Sequence, residues 1–321
     1  MPRLVGSSPL QGFEMSSSSL SFRINPREIT FVGHDLSRPE CILAERNGTL
    51  WISDDRGGVT RRDPSGVQHV IGSIRGTPNG LAMTSTLDLL VADIGNGIVY
   101  RLDRKGRHEV VLDQLGTQPL GSVNFVYADA HGTIWITVST RTQPRKEAIA
   151  RPIPDGYLLR VDAGGPHVVA TGLCFPNELR IDRHYRYVYV AESARGRVVR
   201  MPLLPDGSLG PQEVFGPSQL FAGAIVDGIA FDELDGLWVT EVTRNGIYRI
   251  AADGSCECLI EDPEGKMLLF PASVTFAGHD LRTVLVGSIK AKRLACFRSP
   301  IPGTPLAHWH RNEVIEGSSS Q

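Results

Sequence analysis

The chain has 321 residues, 41% hydrophobic and 21% charged, with a formal net charge of -2, the profile of an ordinary soluble globular protein. That balance gives no basic footprint for nucleic acid or an anionic membrane surface, and no stretch approaches the roughly 18 consecutive apolar residues of a spanning helix. Five cysteines, at 41, 174, 256, 258 and 296, are an odd and scattered set. They argue against a disulfide framework and for a reducing, cytoplasmic compartment.

In chain order, residues 1–19 carry one Arg and a run of serines at 16–19 without a sustained apolar segment, so a disordered tail is expected rather than a secretory signal. Next, Glu28-Ile-Thr-Phe-Val-Gly33 reads as a strand with no unit ahead of it. Six similar runs follow: Asn47-Gly-Thr-Leu-Trp51-Ile-Ser-Asp, Leu87-Asp-Leu-Leu-Val-Ala-Asp93, His131-Gly-Thr-Ile-Trp135-Ile-Thr-Val, Tyr185-Arg-Tyr-Val-Tyr-Val-Ala-Glu192, Asp235-Gly-Leu-Trp238-Val-Thr-Glu241 and Arg282-Thr-Val-Leu-Val-Gly-Ser288. Three of them open on a Gly turn and carry Trp, and all continue as apolar, β-rich runs, the pattern of a hairpin. Each unit goes on through a further strand, such as Gly97-Ile-Val-Tyr-Arg-Leu-Asp103, and a turn such as Lys105-Gly106 or Asp253-Gly254. The C-terminal residues 312–321 again read as a tail.

Six units spaced roughly 39 to 54 residues apart, each with four strands, predict an all-β, six-bladed β-propeller occupying residues 20–311 as a single domain. A four-stranded twisted sheet cannot bury both faces alone, so the blades pack face to face in a ring. The sixth unit has a poor last strand, and the orphan strand at 28–33 is expected to supply it and close the ring. A β-sandwich also has short strands and Gly turns, but not six units in register.

Counting back eleven residues from the fixed point of each second strand gives Glu40, Asn79, Asn124, Asn177 and Asp227, with Ala272 or Ser273 in the sixth unit. The first strand of a blade lines the central channel, so these positions form one ring at one mouth. Two carboxylates in such a ring repel unless a cation sits between them. Oxygen donors without Cys or His suit Ca²⁺, Mg²⁺ or Mn²⁺ better than Zn²⁺. Asn and Asp also serve as turn formers, but five polar occupants of six equivalent positions favour a site. The ends of the second strands, Asp54, Asp55, Asp93, Glu192 and Glu241, rim the same mouth and are expected to brace loops. Two insertions, 140–155 and 210–225, complete the rim, and the first is basic enough to act as a lid.

The segments Pro39-Glu40, Ser122-Val-Asn124, Phe175-Pro-Asn177-Glu-Leu and Val226-Asp227-Gly-Ile-Ala, in this order and over roughly 28–298, resemble the senescence-marker-protein/gluconolactonase/luciferin-regenerating-enzyme family. The resemblance implies one divalent cation, Ca²⁺ first among the candidates, held by Glu40, Asn124, Asn177 and Asp227, and a hydrolase that opens lactones, a small-molecule carboxylic ester substrate. It also places Asn79 near the pocket as a substrate or water contact. Sugar-lactonase relatives often carry Arg two residues before the third-blade Asn, where this chain has Ser122, which argues against a simple sugar lactone. A bound metal lowers the pKa of its water, and Asp227 is the expected base. Two alternatives stay open: a hydrolase or isomerase of a non-lactone such as an aryl ester or phosphotriester, and a non-enzymatic calcium-binding or interaction propeller. A monomer or homodimer is expected, with no nucleic-acid or membrane partner.

Overall fold

Three tryptophans mark how a blade is built. Trp51, Trp135 and Trp238 are buried. Each donates its indole N–H to an acidic side chain six residues earlier: Glu45 Oε1 at 2.6 Å, Asp129 Oδ2 at 3.1 Å and Asp232 Oδ2 at 3.0 Å. The other oxygen of Asp129 accepts the backbone N–H groups of His131 and Thr133, and that of Asp232 those of Leu234 and Gly236. One carboxylate thus closes the tight turn between the first two strands and satisfies a buried indole.

The computed structural model describes residues 21–309; the expected tails at 1–19 and 312–321 lie outside the described residues. Within them, six four-stranded antiparallel sheets follow one another as blades. Blade one comprises Ile42–Ala44, Leu50–Asp54, Gly58–Arg62 and Gln68–Ile71, and blade two Pro78–Met83, Leu89–Asp93, Ile98–Leu102 and His108–Leu112. Blade three comprises Val123–Ala128, Ile134–Val138, Gly156–Asp162 and Gly165–Leu173, and blade four Pro176–Ile181, Tyr187–Glu192, Arg197–Pro202 and Glu213–Phe215. Blade five comprises Val226–Phe231, Leu237–Glu241, Gly246–Ile250 and Cys256–Glu261. Blade six has three strands from its own unit, Pro271–Ala277, Thr283–Ser288 and Leu294–Arg298. Its outer strand is Thr30–Val32, paired antiparallel to Leu294–Arg298 with Phe31 opposite Ala295. The N-terminal strand therefore closes the six-bladed propeller, as the sequence predicts.

Burial falls from the axis outward. The inner strands of blades two, four, five and six are buried at every residue, whereas His108–Leu112 at the edge of blade two is exposed or half-buried throughout. Apolar side chains fill the spaces between blades; the Trp238 ring, for example, meets Phe276 of blade six edge-on at 5.2 Å.

The two insertions differ from a plain rim in one respect. Residues 213–215 of the second form the outer strand of blade four, so only 216–225 connect onward to blade five. The 140–155 insertion contains a five-residue helix, Lys146–Ala150, whose Ala148 is fully buried. It packs toward the 3-10 turn Ser193–Arg195 of blade four.

Candidate active site at the channel mouth

Backbone irregularity, repeated blade by blade, aims the site. In blades two to six the pairing of first and second strands shifts register at the start of the inner strand: between Pro78 and Leu81, Val123 and Phe125, Pro176 and Leu179, Val226 and Ile229, and Pro271 and Ser273. Inside these shifts lie Asn79, Asn124, Asn177, Asp227 and Ala272. A bulge re-aims a side chain out of the regular alternation, and here it recurs at the same place on the channel wall. The shift also settles the sixth position: Ala272 occupies it and supplies no polar side chain. In blade one, Glu40 precedes the strand Ile42–Ala44 and is buried.

Small residues let the inner strands converge. A Cβ on Gly80, next to Asn79, would lie 2.6 Å from Phe125 Cα, and one on Gly228, next to Asp227, 2.5 Å from Ser273 Cα. No side chain fits there, so glycine after the ring residue is what brings neighbouring blades within reach of one another.

The ring side chains meet directly. Asn79 Nδ2 donates to Asn124 Oδ1 and to the Asn124 carbonyl, both at 3.0 Å. Asn177 Nδ2 donates to Ser193 Oγ at 3.3 Å. Glu40 is ion-paired with Arg38. Burial first, then the charges of Glu40 and Glu178, hold the Asp227 carboxyl well above the usual carboxylate range, while Arg38 and a hydrogen bond from Asn177 pull the other way. Asp227 Oδ1 and Asn79 Oδ1 are buried without a hydrogen-bond partner. Ser122, also buried, lies just before the blade-three strand, and Gln143 of the 140–155 insertion reaches its Oγ at 3.5 Å. Thus Glu40, Asn177 and Asp227 share one electrostatic environment, Asn79 and Asn124 are in contact, and Ser122 touches the insertion.

The second-strand carboxylates behave differently. Asp93 Oδ1 accepts the backbone N–H of Thr77 at 2.8 Å, Gly95 at 2.9 Å and Asn96 at 3.2 Å. Glu241 takes the amides of Ile225, Thr243 and Arg244, Glu192 the amide of Cys174 and the guanidinium of Arg197, and Asp54 that of Arg56. In blade three Asp155 does this for Arg141 and Thr142. These groups brace loops, as expected. Asp55 is exposed.

Sequence reading missed four residues here. Arg38 stands two positions before Glu40, and nothing in the repeat marks it. Ser193 and Gln143 come from connections without a period. Glu178 follows Asn177 inside the bulge and turns inward: its Oε2 accepts from Ile229 N of blade five at 3.1 Å and from Arg180 Nη2 at 3.0 Å. Burial, partly offset by Arg180, pushes its carboxyl up to about 7. The Arg180 guanidinium lies over the Phe125 ring at 4.9 Å, further along the channel.

A cavity of about 410 Å³ sits at the other end, where the inner strands finish, lined by residues such as Tyr127, Arg180, Phe231, Phe276 and His308. Its walls are mainly apolar and it contains none of the ring residues. The ring of carboxylates and amides is at the mouth, which is therefore the better candidate.

The ring is an all-oxygen donor set of two carboxylates and three amides. Among the described residues no three His, Cys, Asp or Glu side chains gather as a metal site, which follows from amides making up most of the ring. Unpartnered buried oxygens on Asp227 and Asn79 fit a hard cation.

Comparison with known proteins bears on the same residues. A 6-deoxy-6-sulfogluconolactonase from Pseudomonas putida is 27% identical over 200 residues, 61% of this chain and 64% of the relative, so the chain matches less than two thirds of that protein's length. A gluconolactonase from Xanthomonas campestris superposes with a TM-score of 0.67 at 19% identity, covering 84% of this chain and 88% of that one. The calcium-binding protein regucalcin from Agrobacterium tumefaciens gives 0.67 at 20% identity, with 86% and 96% covered. At such identities the two structures speak to fold alone. The family model described as SMP-30/Gluconolactonase/LRE-like region, however, matches residues 38–290, a span that holds every residue of the ring. By that match the chain belongs to the SMP-30/gluconolactonase/LRE-like family.

Proposed function

We propose that the chain is a metal-dependent hydrolase that opens a lactone, with Glu40, Asn124, Asn177 and Asp227 holding one divalent ion, Ca²⁺ in the first instance. The observation that carries the reading is the pair of buried carboxylates, Glu40 and Asp227, in a ring otherwise made of amides, with an Asp227 oxygen left unpartnered. A folded protein keeps such an arrangement only when something compensates it. The name of the Pseudomonas putida relative, a lactonase, supports the substrate class, and the calcium-binding structural neighbour supports the ion.

When bound, the ion supplies Lewis acidity toward the ester carbonyl and toward water. The chain does the rest. Asp227, buried in the ring with one oxygen free of any hydrogen bond, takes the proton from the attacking water. Asn79 and Asn124, locked to each other, fix one side of the ring, and Asn79 Oδ1, which has no partner of its own, accepts a hydrogen bond from substrate or water. Asn177 is held by Ser193, which fixes its direction. Ser122 and Gln143 limit the space beside Asn124, and with no guanidinium at position 122 the substrate is not a simple sugar lactone. That same feature favours a second reading, cleavage of a non-lactone aryl ester or phosphotriester by the same site.

Elemental analysis of purified protein, combined with a panel of lactones, aryl esters and phosphotriesters assayed before and after chelation, tests both. Turnover of lactones that vanishes on chelation and returns with Ca²⁺ or Mn²⁺ supports the first reading; turnover that survives complete metal removal overturns it. A protein that retains one ion and hydrolyses nothing would instead be a calcium-binding propeller.

A further inference from the structure

Arg38 is built into the mouth in an unusual way. Its backbone is left-handed, at φ 50°, and Pro39 follows. Its side chain is only 18% exposed and its guanidinium pairs with Glu40, yet Nη1 is buried with no hydrogen-bond partner. The same left-handed backbone before a proline recurs at Phe175 and Phe270, so it belongs to the blade entry, and what sets Arg38 apart is where its side chain lies. An unpartnered buried donor on a cation is costly, and the cost is recovered when an acceptor arrives. Two other guanidiniums near the mouth are committed, Arg56 to Asp54 and Arg197 to Glu192, while Arg180, paired with Glu178, lies further along the channel.

Binding of a divalent ion by Glu40 would take away the partner of Arg38 and leave a planar fork of donors at the edge of the site. Such a fork matches an oxyanion in two-point geometry. We propose that Arg38 is the specificity-determining residue of this site and that its guanidinium binds an anionic substituent, a carboxylate or sulfonate, on the substrate. The inference rests on the proposed hydrolase reading and deepens it. It assigns the selectivity that position 122 does not supply to a residue in blade one.

The test compares γ-butyrolactone with its ring-carboxylate and ring-sulfonate derivatives, using the metal-loaded full chain, Arg38→Gln and Arg38→Lys. The ratio of kcat/KM for an anionic over the neutral lactone should fall by about 10- to 100-fold in R38Q, mostly through KM, and fall less in R38K. Whichever derivative shows the larger ratio in the wild type identifies the anion. A ratio unchanged within twofold in R38Q overturns the proposal. If no lactone is turned over, the hydrolase reading fails separately and calorimetry decides the inference. Calcium-loaded protein should bind cyclopentanecarboxylate or cyclopentanesulfonate more tightly than cyclopentanecarboxamide, and R38Q should lose that preference while still giving a calcium-binding heat. Equal preference in wild type and R38Q would overturn it.

Discussion

Two sets of acidic residues face the same mouth, and they differ in what surrounds them. The rim set, Asp54, Asp93, Glu192 and Glu241, lies at the ends of the second strands, buried and saturated with backbone amides and arginines. The inner set, Glu40 and Asp227, lies one strand closer to the axis and is just as buried, yet Asp227 keeps an oxygen without any partner. Residue type and burial are the same, so neither distinguishes structure from chemistry. Hydrogen-bond satisfaction does: a carboxylate whose lone pairs are all used holds a loop, and one that is left short is available to a cation or a proton.

The largest effect should separate the sets outright. Asp227→Asn should lower kcat/KM for the best substrate by about 10²- to 10⁴-fold, while in metal-free protein at neutral pH it should raise the melting temperature, because it removes a carboxylate that burial and Glu40 disfavour. Asp93→Ala should do the reverse. Losing three amide contacts in a buried loop costs about 2 to 4 kcal/mol in denaturant unfolding, with the folded fraction still active. If Asp227→Asn destabilises the metal-free protein as much as Asp93→Ala does, the contrast between the sets is wrong.

Calcium titration sharpens the same point. At 100 times Kd a single ion should stabilise the fold by about 2.7 kcal/mol, read as a rise in melting temperature, and Glu40→Gln should erase the rise whereas Glu241→Gln should keep it.

The smallest effect concerns Glu178. Its carboxyl is raised from 4.5 to about 7 in the fold. Between those values the folded state therefore binds more protons than the unfolded one, and stability falls as pH rises through that window. Glu178→Gln should remove the slope, stabilising metal-free protein at pH 8 relative to pH 5 by on the order of 2 kcal/mol. Chemical denaturation at the two pH values reads it directly; a parallel shift at both would contradict the cause assigned to Glu178.

Much of the fold was legible because a propeller writes each blade into the sequence again. The turns before Trp51, Trp135 and Trp238 announce hairpins, and the orphan strand at 28–33 announces its missing partner. The outer strand of blade four, Glu213–Phe215, was hidden inside what reads as a long insertion, since three residues carry too little alternation to be seen. The ring positions were legible from spacing, although the sixth stayed between Ala272 and Ser273 until pairing with Ser288 fixed the bulge. Arg38 and Glu178 were not legible. Neither belongs to the repeat, and a strand pattern would turn Glu178 away from the side that Asn177 faces.

Sequence alone determined the blade count, the closing strand and the residue types at the head of each inner strand, because these depend on local turn chemistry and on a period. Tertiary structure decided which of those residues meet and which lone pairs go unanswered. Those facts depend on side chains from blades far apart in the chain: Glu40 and Asp227 become neighbours only when the ring closes, and only then do burial and the Glu40 charge raise the Asp227 carboxyl.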